Sequence, residues 1–265
     1  MDECYPELSS LRGQRIIVTG GARGIGGAAV RFLAQQGAQV AIFDINDDLG
    51  EALAASLSNS FSAEIFYSHV DVASKAEVAN AVPMAIARLG GLEGLINVAG
   101  IERQAPIENI AEDDFDMVLR VNLKGTFLMS QAVFPFLKDH GGSIINVGSD
   151  LGLDPPPLSA HYATSKGAVH SLTRAAALEW AKYNIRVNAI LPAMWTEAYD
   201  EFRSRQSSEE LKVHDQFMAG RIHLGGRLGD PNKDLAPVIG FLMSDSSRFI
   251  TSQLIPVNGG LGSTR

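Results

Sequence analysis

A tyrosine and a lysine, Tyr162 and Lys166, stand four residues apart in an alanine-rich segment of helical period. On a helix that spacing puts both on one face. A phenol of ordinary pKa, near ~10, is a poor base at neutral pH. A neighbouring ammonium stabilises the phenolate, and lowering the pKa by about three units requires roughly 4 kcal/mol. Such a tyrosine could take the proton of an alcohol while hydride leaves the same carbon, and protonate the alkoxide in reverse. Ser149, within Asn146-Val147-Gly148-Ser149-Asp150, could hold the substrate oxygen and stabilise developing charge. The plainer reading of such a serine is a turn residue. Asn122 lies inside a helical segment, where asparagine is mildly unfavourable. It could open the helix locally and hold a water linked to Lys166, or simply bond its own helix.

Thr19-Gly20-Gly21-Ala22-Arg23-Gly24-Ile25-Gly26 sits between a β-branched run and a helical one. Glycines there allow a tight turn and close approach to phosphate, and the following helix aims free N–H groups at it. A glycine cluster alone is weak in a chain with 26 glycines, but this position is the one a dinucleotide fingerprint requires. Asp44 follows 18 residues after Gly26. An acidic side chain there accepts hydrogen bonds from the adenosine ribose hydroxyls and repels the 2′-phosphate of NADP. Unit charges about 4 Å apart cost roughly 1–4 kcal/mol at surface dielectrics. Arg23 pulls toward a 2′-phosphate, but Asp44 acts at the point of discrimination, so NAD is the expected cofactor.

The elements that must position these residues alternate. Strands are predicted at Arg15–Thr19, Gln39–Phe43, Glu64–His69, Gly94–Val98, Ser143–Val147, Ile185–Leu191 and Leu254–Val257. Helices are predicted at Ile25–Gln36, Asp47–Leu57, Lys75–Leu89 (despite Pro83), Asp113–Leu137, Ser159–Lys182 and Asn232–Met243. The segment Asp113–Leu137 is expected to kink near Pro135, and Glu197–Met218 is polar and amphipathic. Nearly continuous apolar strands joined by helical crossovers imply a doubly wound, Rossmann-type α/β fold with a parallel sheet covered on both faces. Ligands bind such sheets beyond the carboxyl ends of their strands.

The 265 residues suit one domain spanning 1–265. Apolar residues make up 46%, enough for a core, so disorder is excluded as the main state. No run approaches 18 apolar residues, so no membrane span is expected. Met1–Cys4 lacks a basic-then-apolar leader pattern, and the one cysteine cannot form an internal disulfide. A cytoplasmic location is the expectation. The net charge of −8 argues against nonspecific binding of nucleic acid or anionic lipid. No cluster has convincing metal spacing, so no metal is expected.

Thr19–Gly26, Asp71-Val72, Asn97-Val98-Ala99-Gly100, Asn122, Ser149, Tyr162-Ala163-Thr164-Ser165-Lys166 and Pro192–Thr196 occur in order. Together, over about residues 10 to 262, they resemble the short-chain dehydrogenase/reductases of roughly 250 residues. The resemblance implies a seven-stranded parallel sheet, a bound NAD(H) or NADP(H), and a tetrad of Asn122, Ser149, Tyr162 and Lys166. Tyr162 would be the acid/base and Ser149 would orient the substrate oxygen. Lys166 would lower the tyrosine pKa and bind the nicotinamide ribose, while Asn122 would anchor a relay water. The cofactor would also meet Gly20, Arg23, Gly24, Ile25, Gly26, Asp44, Ile45 and Val121. Asp71 and Val72 would border the adenine. Asn97, Ala99 and Gly100 would line the cofactor, and Pro192 and Thr196 would face the carboxamide. Relatives are commonly homotetramers. The chain departs from the family pattern at Val98, Gly148, Ser252 and Asn258. Pro192-Ala193-Met194-Trp195-Thr196 is one residue short.

Two segments are expected over the substrate. One is Asp150–His161, with Leu151, Leu153 and three consecutive prolines. The other is a lid, 194–221, with Trp195 and Tyr199, of whose apolar residues about half are expected to pack the lid onto the domain. His161 faces away from Tyr162's side of the helix. The expectation is therefore an NAD-dependent oxidoreductase acting on an apolar secondary alcohol or ketone, cyclic ones included. The alternatives are a 3-oxoacyl-thioester reductase and a cofactor-binding sensor without catalysis. A methyltransferase could share the glycine turn but would leave Tyr162 and Lys166 unexplained.

Overall fold

The computed structural model describes residues 10–261. Its strands are β1 (Arg15–Thr19), β2 (Gln39–Asp44), β3 (Ile65–His69), β4 (Gly94–Asn97), β5 (Gly142–Val147), β6 (Ile185–Pro192) and β7 (Leu254–Val257). They form one sheet in the order β3-β2-β1-β4-β5-β6-β7, parallel throughout. The strand order reverses between β1 and β4, so a crevice opens beyond their carboxyl ends.

The helices are α1 (Gly24–Gln35), α2 (Asp47–Ser60), α3 (Lys75–Leu89), α4 (Glu112–Leu119), α5 (Thr126–Leu137), α6 (Ala160–Trp180), α7 (Glu197–Ser204), α8 (Ser208–Arg221) and α9 (Ala236–Met243). Because strand side chains alternate, β1 sends Ile16 and Val18 to one face and Ile17 to the other. Leu33 of α1, Leu57 of α2 and Ile239 of α9 cover the first face, and Val82 of α3, Met129 of α5 and Ala177 of α6 the second. Both faces are dry, which accounts for strands that are apolar at nearly every position.

Three elements differ from the sequence expectation. The break in the predicted helix Asp113–Leu137 is not at Pro135. It is a π-helical turn at Arg120–Gly125 that joins α4 to α5. Pro135 is carried inside α5, and Gln131, whose carbonyl loses its usual donor, lies on the exposed face. The predicted helix at Asn232 opens as a π-helical turn, Pro231–Leu235, before α9. The polar segment after β6 is two helices, α7 and α8, broken before Ser207, whose side chain and Glu210 form a capping box that starts α8 afresh. Among the described residues, no helix is long and apolar enough to cross a membrane.

Candidate active site

The glycine turn is fixed by contacts that leave no room for side chains. Gly20 sits at φ +60° with its α-carbon against Ala99, where a Cβ would come within 2.8 Å of the Ala99 backbone. A Cβ at Gly26 would collide with the Gly20 carbonyl oxygen. The Thr19 hydroxyl accepts the N–H groups of Val98 (3.1 Å) and Ala99 (3.2 Å), which ties the end of β1 to the loop after β4. Sequence reasoning passed over this threonine. No side chain caps the N-terminus of α1, and no acidic residue occupies its first turn, so its N–H groups and positive dipole end remain available to an anion.

Asp44 closes β2 half-buried. One carboxylate oxygen accepts the Ala22 N–H at 3.0 Å, and the other accepts Ile45 N–H (2.8 Å) and Asn46 N–H (3.1 Å). The same carboxylate thus holds the glycine turn to the end of β2. The Tyr67 hydroxyl braces that loop by donating to the Asp44 carbonyl (2.9 Å) and to Asp47 (2.6 Å). Ile45 is 65% exposed, an apolar surface beside the carboxylate that an adenine could cover. Asp71 accepts Ala73 N–H at 2.9 Å. Val72 is buried against Gly125 of the π turn. Those residues fit a dinucleotide: an uncapped helix start for its diphosphate and a carboxylate for its ribose.

The tetrad positions converge at the far side of the same loop. Lys166 is buried on α6 and donates from Nζ to the Val147 carbonyl at 2.7 Å, with Nζ 5.6 Å from the Tyr162 ring centroid. Burial pulls the Lys166 pKa down to about 8, against the field of Glu102. The Tyr162 pKa is pushed up by burial and by the Glu102 charge, while a hydrogen bond with Ser149 pulls it back. The phenol is therefore held protonated in the protein alone. Ser149 Oγ accepts Leu151 N–H at 3.2 Å, which leaves its proton to point at the Tyr162 oxygen.

Asn122 is buried in the π turn, and its amide clamps residue 101: Oδ1 accepts Ile101 N–H (2.8 Å), and Nδ2 donates to Ile101 O (2.9 Å) and to Ser165 Oγ (3.0 Å). The helix does open locally at this residue. The Thr126 hydroxyl takes the Asn122 carbonyl at 2.8 Å. A Cβ at Gly100 would lie 3.2 Å from Asn122 Oδ1 and 3.6 Å from Lys166 Nζ. The loop 98–101 therefore touches the glycine turn at one end and the tetrad at the other.

The other expected site residues lie in several surroundings. Asn97 is buried and turned into the sheet, donating to Asn146 (2.9 Å) and Ser130 (3.2 Å), so its side chain is not in the crevice. Tyr199 is turned into the lid. Its hydroxyl meets His214 Nε2 at 2.8 Å, and its ring packs on Trp195 and Phe202. Trp195 donates to Asp200 (2.8 Å) and lines a crevice of about 470 Å³ with Gly24, Thr196 and Arg227. Leu151 lines a separate groove of about 770 Å³ between the proline loop and Ala163, Thr164 and Gly167, the side of α6 turned from Tyr162. Leu153 is 43% exposed. Ala99 and Val121 are half-buried, and Pro192 ends β6. Thr196 packs on Gly24. His161 is buried. Two departures have physical reasons. Ser252 adopts φ +64°, the conformation that makes glycine usual there. Asn258 donates to Asp150 at 2.7 Å, where an aspartate would meet a second carboxylate.

The family model described as short chain dehydrogenase matches residues 14–207. A 3-oxoacyl-acyl-carrier-protein reductase of Thermotoga maritima is 36% identical over 253 residues, 95% of this chain and 98% of that protein. A 2,5-dichloro-2,5-cyclohexadiene-1,4-diol dehydrogenase of Sphingobium indicum is 34% identical over 257 residues, 96% of this chain and 98% of that protein. The crystal structure of an NAD+-bound xylitol dehydrogenase superposes with a TM-score of 0.87 at 35% identity, covering 94% of this chain and 99% of that one.

Proposed function

The chain belongs to the short chain dehydrogenase family, whose chemistry is oxidoreduction at CH–OH carbons, and from that premise we propose that it is an NAD-dependent enzyme interconverting a secondary alcohol and a ketone on an apolar substrate, cyclic ones included. The observation that carries the proposal is the Tyr162 phenol beside Ser149, with Lys166 Nζ 5.6 Å from its ring centroid and the glycine turn reached through loop 98–101. When bound, the dinucleotide supplies the hydride acceptor or donor. Tyr162 takes the alcohol proton in oxidation and returns it in reduction. Ser149 donates to the substrate oxygen and holds it beside the phenol. Lys166 carries the cation that favours the phenolate. Asn122 keeps residue 101, and with it the crevice wall, in place.

Asp44 supports NAD over NADP, since a 2′-phosphate would have to sit against its carboxylate. The cyclic diol named for one relative supports the substrate class; the thioester reductase keeps the second reading in view, although Asp44 disfavours the NADPH that many such reductases use. Excess NAD in cells favours the oxidising direction. Leu178 on α6 (75% exposed) and Phe249 (fully exposed) supply apolar surface for a homo-oligomer, with the family's tetramer as the expected state, measurable by light scattering. The acidic balance supports a small-molecule partner over nucleic acid, and a cytoplasmic location remains part of the reading.

The test is a reduction screen with NAD and NADP across steroids, cyclic alcohols, polyols and 3-hydroxyacyl thioesters. The expected result is turnover of cyclic or apolar secondary alcohols with NAD preferred at least tenfold. Turnover of polyols alone, or equal kcat/KM with both dinucleotides, refutes the corresponding part.

A further inference from the structure

His170 lies one helical turn beyond Lys166 on α6 and is buried. Its Nε2 accepts the Ser149 backbone N–H at 3.3 Å. The loop above it is glycine on both sides of the ring: a Cβ at Gly148 would come within 2.6 Å of His170 Nε2, and one at Gly152 within 2.8 Å of its Cε1. Gly148 is a position where the family often has serine, and a serine there would strike the imidazole. The ring and the two glycines therefore form one arrangement, a loop shaped to lie flat on a histidine.

We propose that His170 is a positioning residue for Ser149, holding its amide from beneath the loop so that the hydroxyl above stays against Tyr162. The inference rests on the reading of Ser149 as the group that orients the substrate oxygen. Its backbone is then held at three points: N–H by His170, carbonyl by Gly152 N–H (3.0 Å), and the chain beyond by Leu151 N–H on Oγ (3.2 Å). Accepting at Nε2 requires a neutral ring with its proton on Nδ1. Burial and the charges of Lys166 and Arg174 on the same helix push its pKa down to about 4. In this tautomer the buried Nδ1–H has no partner among the described residues, so the Ser149 N–H is the contact that selects it, and no acidic group acts on the ring to raise its pKa. Asp150 in the loop is engaged by Asn258 through one carboxylate oxygen, and Leu191 of β6 lies against Gly148.

The experiment compares His170→Leu and His170→Gln with the parent, first as the protein alone and then with NAD and the best cyclic alcohol of the screen. Ring nitrogen-15 spectra of the parent should show the Nδ1–H tautomer persisting to below pH 5. Exchange of the Ser149 amide should quicken at least tenfold in His170→Leu and recover in His170→Gln. In turnover, His170→Leu should lose at least tenfold in kcat with the KM for NAD within twofold, and His170→Gln should recover to within threefold. Should His170→Leu fail to fold, His170→Asn, too short to reach the loop, takes its place. The Nε2–H tautomer, an unchanged Ser149 exchange rate, or an unchanged kcat in folded His170→Leu overturns the proposal. The exchange and tautomer arms need no substrate, so a chain that turns over no alcohol refutes the functional reading while those arms still judge His170.

Discussion

Asn122 grips both backbone groups of Ile101, accepting its N–H at 2.8 Å and donating to its carbonyl at 2.9 Å, like a strand neighbour made of one side chain. That clamp joins the π turn between α4 and α5 to the loop that carries Ala99 and Gly100. It follows that Asn122→Ala should damage both folding and turnover. Leaving two half-buried backbone groups unpaired costs about 1–3 kcal/mol in all. Urea unfolding should show that loss, with kcat falling by more than tenfold; Asn122→Asp should recover the acceptor half only.

Tyr162→Phe removes the proposed acid/base and keeps the ring that packs over Lys166. NAD affinity by calorimetry should stay within a few-fold of the parent, while turnover drops on the order of 10³-fold or more. Near-parental turnover would remove the mechanism.

Lys166 has a folded pKa near 8 and an unfolded value near 10.5. At pH 7 it is protonated in both states, and the folded protein bears the full cost of burying the cation. Between about pH 8 and 10.5 the unfolded chain binds more protons than the folded one, so stability rises with pH there. Lys166→Met should therefore abolish turnover while stabilising the protein at pH 7 by about 1–3 kcal/mol, a Tm gain of a few degrees, and the gain should shrink by pH 10. Scanning calorimetry at the two pH values reads it.

Direction should follow pH. The Tyr162 pKa is raised, so the phenol is the ready form at neutral pH and serves ketone reduction directly. Alcohol oxidation needs the phenolate and should accelerate from pH 7 toward 8, then level off as Lys166 loses its charge, while reduction slows over the same range. Initial rates in both directions on one alcohol–ketone pair measure this.

Asp44→Asn preserves an acceptor for the Ala22 or Ile45 N–H while removing charge. The NAD/NADP ratio of kcat/KM should fall at least tenfold, with little change in Tm. Retention of the ratio would mean that discrimination lies elsewhere, with Asp47 or Asp48.

Much of the fold was legible in the sequence. Strands β1 and β7 and helix α3 match the predicted bounds to the residue, because apolar periodicity is a local signal and these segments carry clean caps or turns. The glycine turn was legible because its requirement is steric and its neighbours are a strand and a helix. The π turn was not. Its cause is Asn122 reaching a backbone 21 residues away, and Val72 pressing on Gly125, both contacts made only in the folded chain. Pro135 was the louder local signal and the wrong one. The direction of the Asn97 side chain was not legible for the same reason: a polar residue ending a strand can face the crevice or the sheet, and the choice lies with Asn146 and Ser130. His170 had a trace in sequence, the pairing of Gly148 with a histidine one turn past the lysine, that gained meaning only once the loop was seen lying on the ring.

Neither α7 nor α8 buries a residue fully, and the two are pinned to each other by Tyr199 on His214 and Arg203 on Asp215. Such a helix pair can be exchanged provided that its tie to the scaffold below, Glu201 on Arg23 of the glycine turn, is kept. Grafting the corresponding hairpin from a polyol enzyme should redirect which alcohol is accepted while the hydride chemistry runs unaltered, so that substrate range and reaction type can evolve separately on this protein.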